Sequence, residues 1–261
     1  MNGLECHLCE DIISLVGHGD LSYSRDDMLR SCDVVISLGG DGSMLATARL
    51  FGHHGIPILG INLGKLGFLT EVDQDQIDHA LLKLKQDDFE IEERMMLATE
   101  IPRGAGKQLP ALNDVVIDHG ESIRLAKIDL FSDGIFVCPY DADGIVVSTP
   151  TGSTAYSMSV GGPIINPLME AILVAPISPH TLTLRTIIFP GQSVLNIRAG
   201  PSEMKLRLAV DGQVVGDLAS GEEISVRKAP YKLKLVKFDS KSFYEILRSK
   251  LHWGARPLFN Q

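Results

Sequence analysis

Leu38-Gly39-Gly40-Asp41-Gly42-Ser43 stands between the apolar run Val34-Val35-Ile36-Ser37-Leu38 and the stretch Ser43-Met44-Leu45-Ala46-Thr47-Ala48-Arg49-Leu50. That order predicts a strand, a glycine turn and a helix, so the N-terminal part of the chain reads as α/β. Glycines let the backbone take positive φ and remove the β-carbons that would keep a ligand away. Amide N–H groups at the helix start can then face phosphate oxygens. An acid inside such a loop is unusual, because a phosphate cradle ordinarily recruits Lys or Arg. Asp41 either answers a cation such as Mg²⁺, takes a proton from a nucleophile, or caps the helix. The first two uses point to phosphoryl transfer.

Working outward, residues 56–62 form a second short apolar run, and a parallel β-α-β unit is the economical reading. Asp73-Gln74-Asp75-Gln76 resembles a capping box opening a helix in which Ile77, Leu81 and Leu84 fall at i, i+4 and i+7. Near Glu90 the hydrophobic period shortens toward two. Strand-like runs follow at 92–101, 112–117, 123–131, 135–140, 145–148, 194–198, 204–210 and 231–238, separated by turn signals such as Gly104-Ala105-Gly106, Asp133-Gly134 and Asp211-Gly212. This half is expected to be β-rich. Residues 242–251 put Phe243, Ile246, Leu247 and Leu251 on one helical face, a helix that packs back onto another element.

Composition bounds the function. With 261 residues, 44% of them hydrophobic, the chain can bury a full core and has the length for two modest domains. A net charge of −9 argues against nucleic-acid or anionic-membrane binding, since neither polyanion is drawn to the average surface. No signal-like or membrane-spanning apolar stretch is visible, and the cytoplasm is the expected compartment. The four cysteines, Cys6, Cys9, Cys32 and Cys138, are too scattered for a disulfide framework. Cys6-His7-Leu8-Cys9 has C-x-x-C spacing, but no second pair completes a zinc site, and no metal ligands are assigned.

A second landmark lies in the β-rich half: Asp143-Gly144-Ile145-Val146-Val147-Ser148-Thr149-Pro150-Thr151-Gly152-Ser153-Thr154-Ala155-Tyr156. Again a strand runs into a glycine turn, here bearing the hydroxyls of Thr149, Thr151, Ser153 and Thr154 and followed by an aromatic ring. Small neutral donors and acceptors beside an aromatic face suit a ribose and an adenine. The alternative is a Ser/Thr-capped helix start with a packed tyrosine.

Together these stretches resemble the NAD kinase family. The resemblance rests on Leu38–Gly42, on Gly60-Ile61-Asn62 with Gly64-Lys65-Leu66-Gly67-Phe68-Leu69, on Leu112-Asn113-Asp114, and on Ser148–Tyr156 leading to Gly161-Gly162-Pro163-Ile164. Gly-Gly-Asp-Gly alone is shared with lipid kinases, whereas Thr-Pro-Thr-Gly-Ser-Thr-Ala-Tyr is specific to the family. The resemblance implies an α/β N-terminal domain (1–90), a β-rich, sandwich-like C-terminal domain (91–238) with the substrate site between them, and a terminal helical segment (239–261) returning to the first. It implies phosphoryl transfer from ATP, with Mg²⁺ or another divalent cation, to the 2′-hydroxyl of the adenosine ribose of NAD. Asp41 would be the base, with Gly39, Gly40 and Gly42 at the ATP phosphates. Asn113 and Asp114 would hold the ribose and nearby phosphate, Thr151, Thr154, Ala155, Tyr156 and Ser159 the adenosine side, and Asp143 and Ser178 the nicotinamide end. A homodimer or homotetramer is the implied assembly.

Two departures from the family stand out. The chain is expected to lack the family's usual first strand and helix, and Asp114 replaces the usual Glu, drawing that carboxylate back by roughly 1.5 Å. Two rival readings are a lipid kinase, which has no use for residues 149–156, and a catalytically weak NAD(P)-binding or sensing protein.

Overall fold

The structure is a computed structural model that describes residues 3–9, 22–64, 67–102, 108–238 and 242–252. The turn signal at 104–106, Lys65 and Leu66 lie outside these residues. Two compact units are formed, one from Met1–Glu92 together with Lys234–Gln261, the other from Glu93–Leu233.

In the first unit the strand Val35–Gly39 enters the helix Asp41–Phe51 and returns as the strand Ile58–Asn62. The two strands pair in parallel with Val35 opposite Ile58 and Gly39 opposite Asn62, and Val72–Asp73 adds to the far side. Gly60 has no room for a side chain, because a β-carbon there would sit 2.7 Å from the Met44 sulfur and 3.0 Å from the Thr70 backbone. The predicted capping box is present: the Asp73 side chain accepts from the backbone of Gln76, whose side chain accepts from the Asp73 N–H. The helix that follows, Ile77–Lys85, buries Ala80 and leans Ile77 and Leu84 on Leu59, Ile61 and Val236. The helix Phe243–Leu251, opened by a Ser242–Glu245 capping box, buries Ile246 and Leu247.

The second unit is a sandwich of two antiparallel layers. One sheet runs Ile187–Pro190, Ala171–Ile177, Gly144–Ser148, Asp114–Asp118, Leu206–Val210, Gln213–Leu218. The facing layer contains Ile135–Ala142, Ala126–Ser132, Leu195–Ala199 and Glu223–Lys237. Val115, Ile117, Ile145, Val147 and Leu208 from the first meet Ile128, Leu130, Leu195, Ile197 and Ile224 from the second in one core. Ala171–Ile177, buried along its whole length, is absent from the sequence reading because it has no alternation and contains Pro176. The ladder to Ile187–Pro190 ends at Val174, so Pro176 removes no donor from that side. Glu223–Lys237 is likewise one long strand where the periodicity suggested only its second half, with Pro230 in its middle. Its last residues belong to the first unit, where Leu235 pairs in parallel with Ile58.

Candidate active site

In the first unit, Gly39 takes a φ of +139°, and a β-carbon there would lie 2.2 Å from the Ser43 hydroxyl, so the turn itself requires glycine. Gly40 is the N-cap of the helix and supplies no side-chain cap. At Gly40 and Gly42 a β-carbon would meet nothing within 4 Å. The fold therefore makes no demand for glycine at these two positions.

Asp41 does not cap the helix it begins. Its Oδ2 accepts the N–H of Phe68 at 3.0 Å and its Oδ1 that of Leu69 at 3.0 Å, tying the helix start to a loop 27 and 28 residues away. Gly67 makes the approach feasible, since a β-carbon there would fall 2.1 Å from Asp41 Oδ1. Lys250, on the C-terminal helix, brings its Nζ to 3.9 Å from Asp41 Oδ2 and lies 4.9 Å from the centre of the Phe68 ring. Asn62 steadies the same edge by donating to Asp73 Oδ1 and the Gly64 carbonyl.

In the second unit, the strand starting at Asp114 and the turn after Ser148 are joined at their ends. The N–H of Thr149 and the hydroxyl of Ser148 both donate to the Asn113 carbonyl, at 2.9 and 3.1 Å, and the Thr149 hydroxyl donates to the Leu112 carbonyl at 2.5 Å. Gly152 packs so closely on this seam that a β-carbon would sit 2.2 Å from the Asn113 oxygen. The hydroxyls read from sequence as ligand contacts thus divide. Thr149 and Ser153 are wholly buried and satisfied internally, Ser153 bridging the Pro150 carbonyl and the Ile165 backbone. Thr151 accepts from the buried Arg94 at 3.3 Å, and Thr154 donates to the Thr151 carbonyl. Tyr156 begins the short helix Tyr156–Ser159 and is 40% exposed. Burial, then the charges of Asp118 and Asp114, push its hydroxyl above the usual phenol range. Ala155 is half-buried and Ser159 exposed.

Asp143 lies 3.4 Å from His119 Nε2, and its N–H donates to the carbonyl of Ile177, the residue before Ser178, so Asp143 and Ser178 are neighbours. Asp118 takes both ends of the Arg207 guanidinium at 2.9 and 2.8 Å. Asp114 is 5% exposed, and burial first and the Asp211 carboxylate second raise its pKa to about 7. The structure thus brings Asn113, Asp114, Thr151, Thr154, Ala155 and Tyr156 onto one seam. Gly67, Lys250, His119 and Asp211 were not singled out by their chemistry, because each acts on a partner distant in sequence. Among the described residues no group of three or more His, Cys, Asp or Glu side chains is placed to hold a metal ion.

Known proteins resemble this chain in sequence and fold. The ATP-NAD kinase N-terminal domain family matches residues 20–89 and the ATP-NAD kinase C-terminal domain family residues 112–238. An NAD kinase of Pseudomonas aeruginosa (strain LESB58) is 42% identical over 254 residues, covering 95% of this chain and 86% of the relative. One from Geotalea daltonii is 42% identical over 248 residues, 93% of this chain and 87% of the relative. The crystal structure of yeast NADH kinase complexed with NADH superposes with a TM-score of 0.87 at 29% identity, over 97% of this chain and 80% of that one. An Archaeoglobus fulgidus NAD kinase in complex with ATP shares the fold, with a TM-score of 0.74 at 23% identity over 93% and 94% of the two chains.

Proposed function

Because the chain belongs to the ATP-NAD kinase family, we propose that it transfers the γ-phosphoryl group of ATP to the 2′-hydroxyl of the adenosine ribose of NAD, giving NADP. The reaction class is phosphotransfer to a hydroxyl. The nucleotide enters as its complex with Mg²⁺ or another divalent cation, so the metal belongs to the substrate. A ribose hydroxyl is a weak nucleophile at neutral pH, and positioning plus removal of its proton is most of what the protein must supply. Asp41 takes that proton. The backbone at Gly39, Gly40 and Gly42 meets the phosphates, and Asn113 and Asp114 hold the ribose. Thr151, Thr154, Ala155, Tyr156 and Ser159 form the adenosine side, with Asp143 and Ser178 at the nicotinamide end.

The observation that carries this reading is the open space above Gly40 and Gly42 at the start of the helix Asp41–Phe51. Glycine without a structural need, beside helix N–H groups, suits a backbone that something else must approach, and a phosphate is the group such a loop attracts. Incubation with NAD and Mg-ATP, with NADP followed through an NADP-specific dehydrogenase, tests the proposal. Absence of NADP would overturn it. The proposal places the enzyme in the cytoplasm as a homodimer or homotetramer; among the described residues no helix is long and apolar enough to cross a membrane. Light scattering checks the assembly.

Tyr156→Ala is expected to raise KM for NAD and leave KM for ATP nearly unchanged. Its ring is exposed beside the acidic cluster, and a lost stacking partner costs roughly 1–3 kcal/mol per base, about 5- to 150-fold in affinity. Equal weakening of both substrates would reduce the ring to packing and withdraw the adenosine assignment.

A further inference from the structure

Asp211 occupies the hairpin turn between the strands Leu206–Val210 and Gln213–Leu218, and it takes the left-handed conformation, φ 45°, ahead of Gly212 at φ 74°. Asp-Gly is ordinary chemistry for such a turn, and Asn-Gly would serve it as well. What the turn does not account for is where the carboxylate goes. Its Oδ2 accepts the N–H of Leu112 at 2.9 Å, and its Oδ1 accepts those of Asn113 at 2.8 Å and Asp114 at 3.1 Å. In return the N–H of Asp211 donates to the Asp114 carbonyl at 2.9 Å. Three consecutive amides, 97 to 99 residues away in sequence, thus converge on one buried carboxylate. An asparagine offers one acceptor oxygen and turns an NH₂ group toward the remaining donors, so the demand here is for the acid.

We propose that Asp211 is a positioning residue for the dinucleotide: its carboxylate fixes the backbone of Leu112–Asn113–Asp114 and thereby where the Asn113 and Asp114 side chains meet the ribose. The inference rests on the reading of those two residues as the ribose contact. It deepens that reading, because the pair is aligned from a different hairpin and the same carboxylate is close enough to Asp114 to act on its charge. Among the described residues Asp211 acts on the Asp114 carboxyl, and Asp114, Asp118, Asp143 and Arg207 act on the Tyr156 hydroxyl. After burial itself, the Asp211 charge is what raises the Asp114 carboxyl. Asp211 therefore holds the Asp114 backbone in place and, second to burial, adds to the rise of its carboxyl pKa.

The test pairs kinetics with a readout that needs no substrate. In Asp211→Asn, KM for NAD is expected to rise about tenfold to a hundredfold, the usual cost of a misplaced contact, with KM for Mg-ATP within about twofold of wild type. The carbon-13 carboxyl resonance of Asp114 is expected to titrate near pH 7 in the wild type and lower in the variant. A wild-type KM for NAD together with an unmoved Asp114 midpoint overturns the positioning role. Asp114→Ala separates the underlying reading: wild-type kinetics toward NAD there would remove the ribose assignment, while the carboxyl titration would still decide whether Asp211 and Asp114 are coupled. Should Asp211→Asn not fold, hydrogen exchange on the wild-type protein decides. The amides of Leu112, Asn113 and Asp114 are expected to be protected, and rapid exchange of all three overturns the proposal.

Discussion

Asp41→Asn is expected to lower kcat by about 10²–10⁴, the usual worth of a positioned general base, with KM for NAD changed little. Asparagine keeps the shape of the side chain and one acceptor oxygen, but it has no carboxylate to receive a proton. The structure adds a second duty, since both oxygens of Asp41 hold loop amides, at Phe68 and Leu69. The two losses leave different signatures. Loss of the base lowers kcat alone, whereas a displaced loop raises the KM values and lowers Tm. A variant turning over near the wild-type rate would leave Asp41 as a tie between a helix and a loop, and the proposed mechanism would lose its base.

Gly152→Ala is expected to be nearly as damaging, with about a hundredfold loss in kcat/KM for NAD. The new methyl would fall 2.2 Å from the Asn113 oxygen and 2.6 Å from its carbonyl carbon, both backbone atoms of the pinned turn. Since the Asp211 carboxylate holds that turn from the other side, it cannot retreat without breaking three hydrogen bonds. Overpacking of this kind costs about 1–3 kcal/mol, so Tm is expected to fall by several degrees. Gly216→Ala is the control, because a β-carbon there meets nothing within 4 Å. Wild-type Tm and KM in Gly152→Ala would mean that the seam between residues 113 and 152 yields freely, and Asn113 would then need no exact placement.

Much of the scaffold was legible from local chemistry. The strand Val35–Gly39, its helix and the parallel return at Ile58–Asn62 follow from an apolar run, a glycine turn and a 3.6-residue period, all within thirty residues. The capping box at Asp73 and Gln76 could be read from four consecutive residues. Ala171–Ile177 could not, because a strand buried on both faces has no period to detect. The site was legible to a different degree. Family resemblance proposes Asn113, Asp114 and Tyr156 as contacts, yet nothing in the neighbourhood of Asp211 distinguishes it from any other Asp-Gly hairpin. Its partners become visible only when residues 112–114 are folded against it. For the opposite reason, the hydroxyls of Thr149 and Ser153 could be read either as ligand donors or as caps. Sequence counts donors, but only the fold tells which are already spent on the backbone.

The division of the first unit into Met1–Glu92 and Lys234–Gln261 has a consequence for how the enzyme comes off the ribosome. At about 5–20 residues per second, the Gly39–Gly42 loop is made and waits on the order of ten seconds while Glu93–Leu233 is translated. Only afterwards do Leu235, which pairs with Ile58, and Lys250, which sits beside Asp41, exist at all. The sandwich, being continuous, has all of its own strands in hand first and can fold while the Gly39–Gly42 loop is still without its last neighbours. The unit that holds Gly39–Gly42 is thus completed after the sandwich, and a chain stopped before Phe243–Leu251 would carry a finished sandwich and a loop still without Lys250.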